Sequence, residues 1–185
     1  MHLHLLILES RPRFEGASMA SKILASTSAQ DRARVQIRIF PDCAVAAAAK
    51  QADLLLLGAD RISCSGDVSN KIGSLAATLC LKTLNPRAPV VAVSDVDKIV
   101  PSGVEEEEKE VHPHSEMVEA WGDEERRGLA VRIKNGSVDV FGEWFEWVPA
   151  EHIDGYVTEN GTLDTEGVEK VAGEMGTLKE KIFGE

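Results

Sequence analysis

Cysteine is scarce in this chain of 185 residues: only Cys43, Cys64 and Cys80 occur, and no two lie close together. An odd number without a close pair argues against a disulfide framework and a zinc knuckle, and it favours a reducing compartment. Long apolar runs are also missing. The longest, Leu3–Leu8 and residues 54–57, are far too short to span a bilayer. We therefore predict no membrane segment and a cytoplasmic location, since no signal peptide is visible.

Basic residues are too few for a dedicated nucleic-acid binder, because the net charge is −11. The charge is also unevenly spread. Residues 1–100 carry 12 Lys and Arg against 9 Asp and Glu, whereas residues 101–185 carry 8 against 22. The near-neutral first part can still receive an anionic small ligand. With 43% hydrophobic residues the chain has enough apolar side chains for a core, so we expect a single domain over residues 1–185.

Short apolar runs alternate with helical stretches in the first hundred residues. This rhythm predicts the α/β class: a Rossmann-like parallel sheet of about four or five strands, flanked by helices. We expect the strand at Leu3–Leu8 to be buried and to share one sheet with the strand at 54–57. The predicted strands are Leu3–Leu8, 35–39, 54–57 and 89–93, and the predicted helices are 16–26, 42–49 (with Asp42 as N-cap) and 70–84.

The regular alternation of predicted strands and helices ends at Ser94. Residues 101–128 are polar and include four successive glutamates at 105–108, which predicts an exposed acidic insertion. Asn135-Gly136 lies between two alternating segments, a strong signal for an added β-hairpin at about 129–141. Residues 165–183 are predicted to form a closing helix, weakened by two glycines.

The segment Glu9-Ser-Arg-Pro-Arg-Phe-Glu-Gly16 falls where a strand ends and a helix begins. In a parallel α/β sheet this is the usual position of a ligand. Arg11 and Arg13 can hold an anion there, and Gly16 allows a helix N-terminus to come close to it. The alternative is a surface turn whose arginines pair with its own glutamates.

Asp60 follows the predicted strand at 54–57, within Gly58-Ala-Asp-Arg-Ile62. A carboxylate just past a buried strand is partly desolvated, which suits general acid/base chemistry. The alternative is an Asp that caps the next turn or pairs with Arg61.

The stretch Gly66-Asp-Val-Ser-Asn-Lys-Ile-Gly73 begins as a loop and is predicted to end as a helix start. Asn70 and Lys71 then lie in the first helical turn, where free N–H groups and the helix dipole favour a phosphate. The spacing is not that of a Walker A motif, so a nucleoside triphosphate is not implied. The alternative is a plain N-cap by Ser69 or Asn70.

Histidines are too scattered for a metal site. His2 and His4 lie on one face of a strand, and His112 and His114 lie in the acidic region, but neither pair has a third ligand at suitable spacing. We therefore predict no metal and no cofactor.

Taken in order, these stretches resemble one known family. It unites the alpha, beta and delta subunits of translation initiation factor 2B with methylthioribose-1-phosphate isomerase and ribose-1,5-bisphosphate isomerase. Gly-Ala-Asp-Arg followed by Asn-Lys-Ile-Gly is a specific combination, and the resemblance extends from residue 5 to about 165. The matching stretches are 9–16, 41–45, 58–62, 66–73, Val148-Pro149 and Thr158-Glu-Asn-Gly161.

The resemblance implies a Rossmann-like domain that follows a helical domain in a protein that is usually dimeric. In the isomerases the Asp of Gly-Ala-Asp acts with a Cys as the acid/base pair, which assigns Asp60 that role here. The Asn-Lys pair holds the ligand, which assigns Asn70 and Lys71. Glu15 stands where the thioribose isomerases carry a Gln that touches the sugar.

Two functions follow from the resemblance. The first is a non-catalytic regulatory or translation-initiation-related module that keeps a pocket for a phosphorylated sugar or nucleotide-like molecule. The second is an aldose–ketose sugar-phosphate isomerase. The Cys-bearing strand and the helical domain of the isomerases have no counterpart before the Arg-Pro segment, which favours the first. That strand is central in the parent sheet, so we expect Leu3–Leu8 and 54–57 to pair directly, or the chain to form homo- or hetero-oligomers with family members.

Overall fold

The computed structural model describes residues 2–103 and 112–184. The four glutamates at 105–108, the most acidic part of the expected insertion, lie outside the described residues. By their contacts the described residues form two compact units, and the single domain over the whole chain stays a prediction. We call residues 2–48 and 112–144 the first unit, and residues 49–103 and 145–184 the second unit.

The described residues contain both strands and helices along their whole length. The strands are β1 (Leu3–Leu8), β2 (Val35–Phe40), β3 (Leu55–Gly58), β4 (Arg61–Ile62), β5 (Val68–Lys71), β6 (Val90–Val93), β7 (Phe145–Val148), β8 (Gly155–Thr158) and β9 (Gly161–Leu163). The helices are α1 (Glu15–Ser26), α2 (Ala29–Arg32), α3 (Val45–Ala49), α4 (Ser74–Leu84), α5 (His114–Glu119), α6 (Asp123–Lys134) and α7 (Thr165–Phe183).

The sheet of the first unit consists of the parallel pair β1 and β2, with Leu3 opposite Val35 and Leu8 opposite Phe40. The strands are parallel because the chain returns through α1 and α2, a crossover connection. The prediction that β1 is a buried strand was wrong. Ile7 is buried, but Leu3 is 45% exposed, because a sheet of two strands leaves much of its surface open.

The predicted β-hairpin around Asn135-Gly136 is also wrong, because this region is helical. Helix α6 ends where Asn135 donates its N–H to the carbonyl of Val131. Gly136 follows with φ of +75°, a left-handed conformation for which glycine is favoured after a helix. Three acidic residues in the first turn of α6 and two basic residues in its last turn also match the helix dipole.

The main sheet of the second unit has the order β3-β6-β8-β9. β3, β6 and β8 are parallel, and β9 returns antiparallel to β8 through a tight turn at Glu159-Asn160. One face of this sheet carries the core. Its largest fully buried residues include Val90 and Tyr156, and the core extends to Val168 on α7.

A second, antiparallel sheet of the same unit has the order β4-β5-β7. Ile62, Val68 and Val148 meet in it and are fully buried, so this small sheet shares the core of the unit. The prediction of a helix over residues 70–84 was wrong at its start. Asn70 and Lys71 belong to β5, and helix α4 begins only at Ser74, after Gly73 with φ of +102°.

The closing helix is confirmed as α7. The carboxylate of Asp164 accepts the N–H of Gly167 and caps the start of the helix. Of its two glycines, Gly176 is buried, and a Cβ added there would lie 3.0 Å from the carbonyl oxygen of Ser102.

The α/β class, with parallel strands flanked by helices, is confirmed. The expectation that Leu3–Leu8 and 54–57 share a sheet was wrong, because β1 and β3 belong to different sheets. In residues 2–103 and 112–184, β1 pairs only with β2 and β3 only with β6, so one edge of each remains open. Direct pairing of the two strands is therefore not observed, and self-association stays a prediction. No helix of the described residues is long and apolar enough to cross a membrane.

Candidate functional site

The Arg-Pro-Arg segment joins β1 to α1 in the first unit and is held by Asp42. The N–H groups of Ser10 and Arg11 donate to the two carboxylate oxygens of Asp42, each at 2.8 Å. Asp42 was predicted to be the N-cap of a helix. It instead opens a short 3₁₀ turn, and its side chain is used to fix the loop 32 residues earlier in the chain.

Gly16 has a packing role that is visible in the structure. A Cβ added there would overlap the carbonyl oxygen of Leu8 and lie 3.2 Å from the carbonyl carbon of Glu9. The N–H of Gly16 also donates to the carbonyl of Glu9 at 3.2 Å. Glycine is therefore required for the close approach of α1 to the end of β1. Its neighbour Glu15 accepts a hydrogen bond from the hydroxyl of Ser10 at 3.1 Å.

The two arginines of the segment are both paired with carboxylates. Nε of Arg11 lies 3.6 Å from Glu9, as in the alternative of a self-paired turn. Arg13 has a partner that sequence reasoning missed: its Nη2 donates to Oε2 of Glu116 at 2.6 Å, across 103 positions of the chain. Both arginine side chains are more than half exposed.

Arg13 also lies over an aromatic ring. Its guanidinium is 4.8 Å from the ring centre of Trp144, and His112 stacks on Trp144 at 4.0 Å with an interplanar angle of 8°. Glu116 joins the group, because its Oε1 lies 3.4 Å from Nδ1 of His112. We call these four residues the Arg13 cluster. Beside it is a cleft of about 260 Å³ lined by Pro12, Arg13, Phe14, Glu116, Glu119 and Ala120.

Asp60, Asn70 and Lys71 lie in the second unit. The N–H of Asp60 donates to the carbonyl of Ser69 at 2.9 Å, which places the Asp60 turn beside β5. Asn70 points toward the same turn, since a Cβ added at Gly58 would lie 3.6 Å from its Oδ1. The expectation of a partly desolvated carboxylate was wrong, because Asp60 follows the end of β3 in an exposed position.

The start of α4, where a phosphate was predicted, holds an internal carboxylate. Oε1 of Glu146 accepts the N–H groups of Gly73 at 2.6 Å and Leu75 at 3.0 Å. Glu146 is on β7 and reaches α4 because β7 pairs with β5, opposite Asn70. Asn70 in turn donates through Nδ2 to the hydroxyl of Ser74 at 2.9 Å. At both positions where an anion was predicted, a carboxylate of the chain is therefore bound: Glu116 contacts Arg13, and Glu146 contacts the start of α4.

The predicted site residues thus fall into two groups. Arg11, Arg13, Glu15 and Gly16 lie in the first unit, and Asp60, Asn70 and Lys71 lie together in the second. Their assignment to ligand binding and catalysis stays a prediction. Among the described residues no group of three or more His, Cys, Asp or Glu is placed to hold a metal ion.

Comparison with known proteins identifies the relationship. A model of the Initiation factor 2 subunit family matches residues 1–165. The chain belongs to this family. Curated relatives include the methylthioribose-1-phosphate isomerase of Caldanaerobacter subterraneus subsp. tengcongensis, 30% identical over 158 residues. That match covers 84% of this chain and 41% of the relative. The enzyme of the same name from Aquifex aeolicus is 32% identical over 163 residues, or 86% and 32% of the two chains.

Two solved structures share the fold. Translation initiation factor eIF-2B subunit delta from A. fulgidus has a TM-score of 0.70 at 21% identity, covering 91% of this chain and 46% of its own. The 5-methylthioribose 1-phosphate isomerase of Pyrococcus horikoshii OT3 has a TM-score of 0.68 at 20% identity, covering 91% and 44%. The chain spans less than half the length of all four of these family members.

Proposed function

We propose that this chain binds a phosphorylated sugar or a similar phosphate-bearing small molecule beside β5, and that it acts as a non-catalytic module of its family. The observation that carries the proposal is the contact between the Asp60 turn and β5, which brings Asp60 beside the strand that carries Asn70 and Lys71. A carboxylate and an amide then lie on neighbouring segments, and the long flexible side chain of Lys71, the next residue of β5, can bring an ammonium group to their edge. Together they can hydrogen-bond sugar hydroxyls and supply positive charge to a phosphate.

The electrostatics of this surface favour binding of modest strength. Glu146 already satisfies two N–H groups at the start of α4, so the helix offers little to an incoming anion. Lys71 on β5 then supplies the main positive charge. A partly exposed lysine contributes on the order of 1 kcal/mol. A dissociation constant of roughly a millimolar corresponds to about 4 kcal/mol, so the site needs several such contacts together.

The exposure of Asp60 supports a binding role over a catalytic one. Acid/base carboxylates are usually desolvated, because burial tunes their pKa toward neutral pH. Asp60 is exposed in this structure.

We expect Lys71→Ala to weaken binding of ribose 5-phosphate about fivefold, because it removes about 1 kcal/mol of electrostatic attraction. The measurement is an NMR titration that follows the amide signals of residues 66–74. The sequence suggests Lys82 as a control, because it was expected on one helix with Lys71. In the structure the Nζ of Lys82 binds Asp154 at 2.5 Å, so Lys82→Ala also removes an ion pair.

Lys170→Ala is the better control. Lys170 lies in the same unit, its side chain is 77% exposed, and its nearest carboxylate, Glu174, is 3.9 Å away. Equal losses in the Lys71 and Lys170 variants would show that attraction is non-specific. An absence of shifts at residues 66–74 in the unmodified chain would show that the pocket does not exist.

A second function, sugar-phosphate isomerisation, is favoured by the names of the curated relatives. In that case the chain moves a carbonyl between C1 and C2 of a phosphorylated pentose, with Asp60 as the acid/base group. Turnover of 5-methylthioribose 1-phosphate should then fall about 10²- to 10⁴-fold in Asp60→Asn. Asp53→Asn, which removes an exposed carboxylate of the same unit, is the matched control. Turnover that is abolished by Asp60→Asn alone would replace the non-catalytic proposal with this one.

The proposal also includes partners and location. One matched structure is described as a subunit, and β1 and β3 each have one open edge in the described part of the chain. Open strand edges pair readily with other chains. We therefore propose that the protein assembles with itself or with family members in the cytoplasm.

A further inference from the structure

Arg13, one of the predicted anion-binding residues, already holds an anion. Glu116 lies in α5, in the region expected to be an insertion, and its Oε2 accepts from the guanidinium of Arg13 at 2.6 Å. The guanidinium also lies over the ring of Trp144, which is 4% exposed. The guanidinium of Arg13 therefore already has two partners, and one of them is a carboxylate of the same chain.

Glu116 is charged in this arrangement. Burial alone would raise the pKa of Glu116, but hydrogen bonds and charge from Arg13 and His112 lower it below its ordinary value. The neighbouring Glu119 is exposed and also borders the cleft. At neutral pH the contact with Arg13 is thus an ion pair between full charges.

We propose that Arg13, in the first unit, is a further phosphate-binding position and that Glu116 is its internal competitor: a phosphate binds Arg13 only by displacing the Glu116 carboxylate, so Glu116 limits the affinity and selectivity of the Arg13 position. This position goes beyond the pocket proposed beside β5 in the second unit. A guanidinium binds carboxylate and phosphate oxygens through the same planar donors, so the two compete directly.

The structure provides for both states of this exchange. The cleft of about 260 Å³ beside Arg13 has room for a phosphate group. When Arg13 is released, Glu116 keeps His112 as a partner at 3.4 Å, and Arg13 keeps its contact with Trp144. Because each group keeps a second partner, the exchange leaves neither charge without a contact. The apparent affinity of Arg13 for phosphate equals its intrinsic affinity multiplied by the fraction of chains in which Arg13 is released from Glu116.

The test is a titration of inorganic phosphate at constant ionic strength, followed by the NMR signals of the Arg13 side chain and the Trp144 indole. We expect Glu116→Gln to tighten binding at Arg13 about three- to fivefold, the range of an exposed ion pair. Glu119→Gln removes the same charge from the same cleft without touching Arg13, and it should change the affinity less than twofold. Arg13→Gln should abolish the response in either background.

Equal gains in the Glu116 and Glu119 variants would overturn the inference, since removal of any negative charge would explain them. An unchanged affinity in Glu116→Gln, or no phosphate response at Arg13, would overturn it as well. The unmodified chain gives an independent readout: phosphate, but not chloride, should move the pKa of Glu116 upward, because Arg13 no longer lowers it. The NMR signals of residues 66–74 report on the proposed pocket beside β5. A failure of the inference about Arg13 can therefore be distinguished from a failure of the proposed function.

Discussion

Tyr156→Ala should lower the free energy of unfolding by about 3–5 kcal/mol, the range for removing a buried aromatic side chain. Tyr156 lies on β8, in the parallel part of the main sheet, and is 1% exposed. Its hydroxyl also donates to the carbonyl of Gly66 at 2.5 Å. The substitution therefore leaves a cavity beneath the loop that leads into β5, so it should disturb Asn70 and Lys71 together with the core.

Tyr156→Phe separates the hydrogen bond from the cavity, and we expect it to cost only about 1–2 kcal/mol by denaturant unfolding. Tyr156→Phe should also differ from the unmodified protein in alkali. Burial raises the pKa of Tyr156; a hydrogen bond with Thr165 opposes the shift, and the charge of Asp67 adds to it. The unfolded phenol loses its proton above about pH 10 while the folded one keeps it, so stability falls as pH rises past that point. Tyr156→Phe should lack this fall, and equal pH dependence in both proteins would contradict the assignment.

The strands of the parallel sheets could be predicted from the sequence because their signals are local. The apolar runs at 35–39 and 54–57 correspond to β2 and β3 within one residue at each end. Each run is bounded by a turn residue or a change of polarity, and no distant contact is needed to recognise it. The class of fold follows from their alternation with helices.

The wrong assignments share a different cause: a local pattern that fits two structures. Asn135-Gly136 suits a hairpin turn and the end of a helix equally well, and the charges along α6 decide for the helix. Asn70 and Lys71 suit a helix start, but β5 pairs with β7, more than seventy residues away in the chain. Pairing over such a distance cannot be read from a window of neighbouring residues.

The place of the candidate residues in the fold could be predicted from the sequence, but their partners could not. Arg13 lies, as expected, between the end of β1 and the start of α1, but its partner Glu116 is 103 positions away. The start of α4 was singled out as an anion position, but Glu146 fills it from a distance of 73 positions. A carboxylate that pairs within the chain looks in the sequence like any other acidic residue.

Gly16→Ala should lower the free energy of unfolding of the first unit by about 3 kcal/mol or more, because a methyl group has no space there. The added Cβ would overlap the carbonyl oxygen of Leu8, which belongs to β1 and cannot move without disturbing the strand. Helix propensity alone predicts the opposite sign, since Ala is favoured over Gly by about 1 kcal/mol within a helix. The sign of the effect therefore distinguishes a packing role for Gly16 from mere helix flexibility.

Gly128→Ala is the matched control, because Gly128 lies within α6 of the same unit and a Cβ there meets no atom within 4 Å. It should stabilise the protein by about 0.5–1 kcal/mol, as helix propensity requires. Denaturant unfolding of both variants, followed by tryptophan fluorescence, to which Trp121 and Trp144 of the same unit contribute, measures the difference. If Gly16→Ala proves as stabilising as Gly128→Ala, the close approach of α1 to β1 does not exist in solution, and the conformation of the Arg-Pro-Arg loop between them must differ as well.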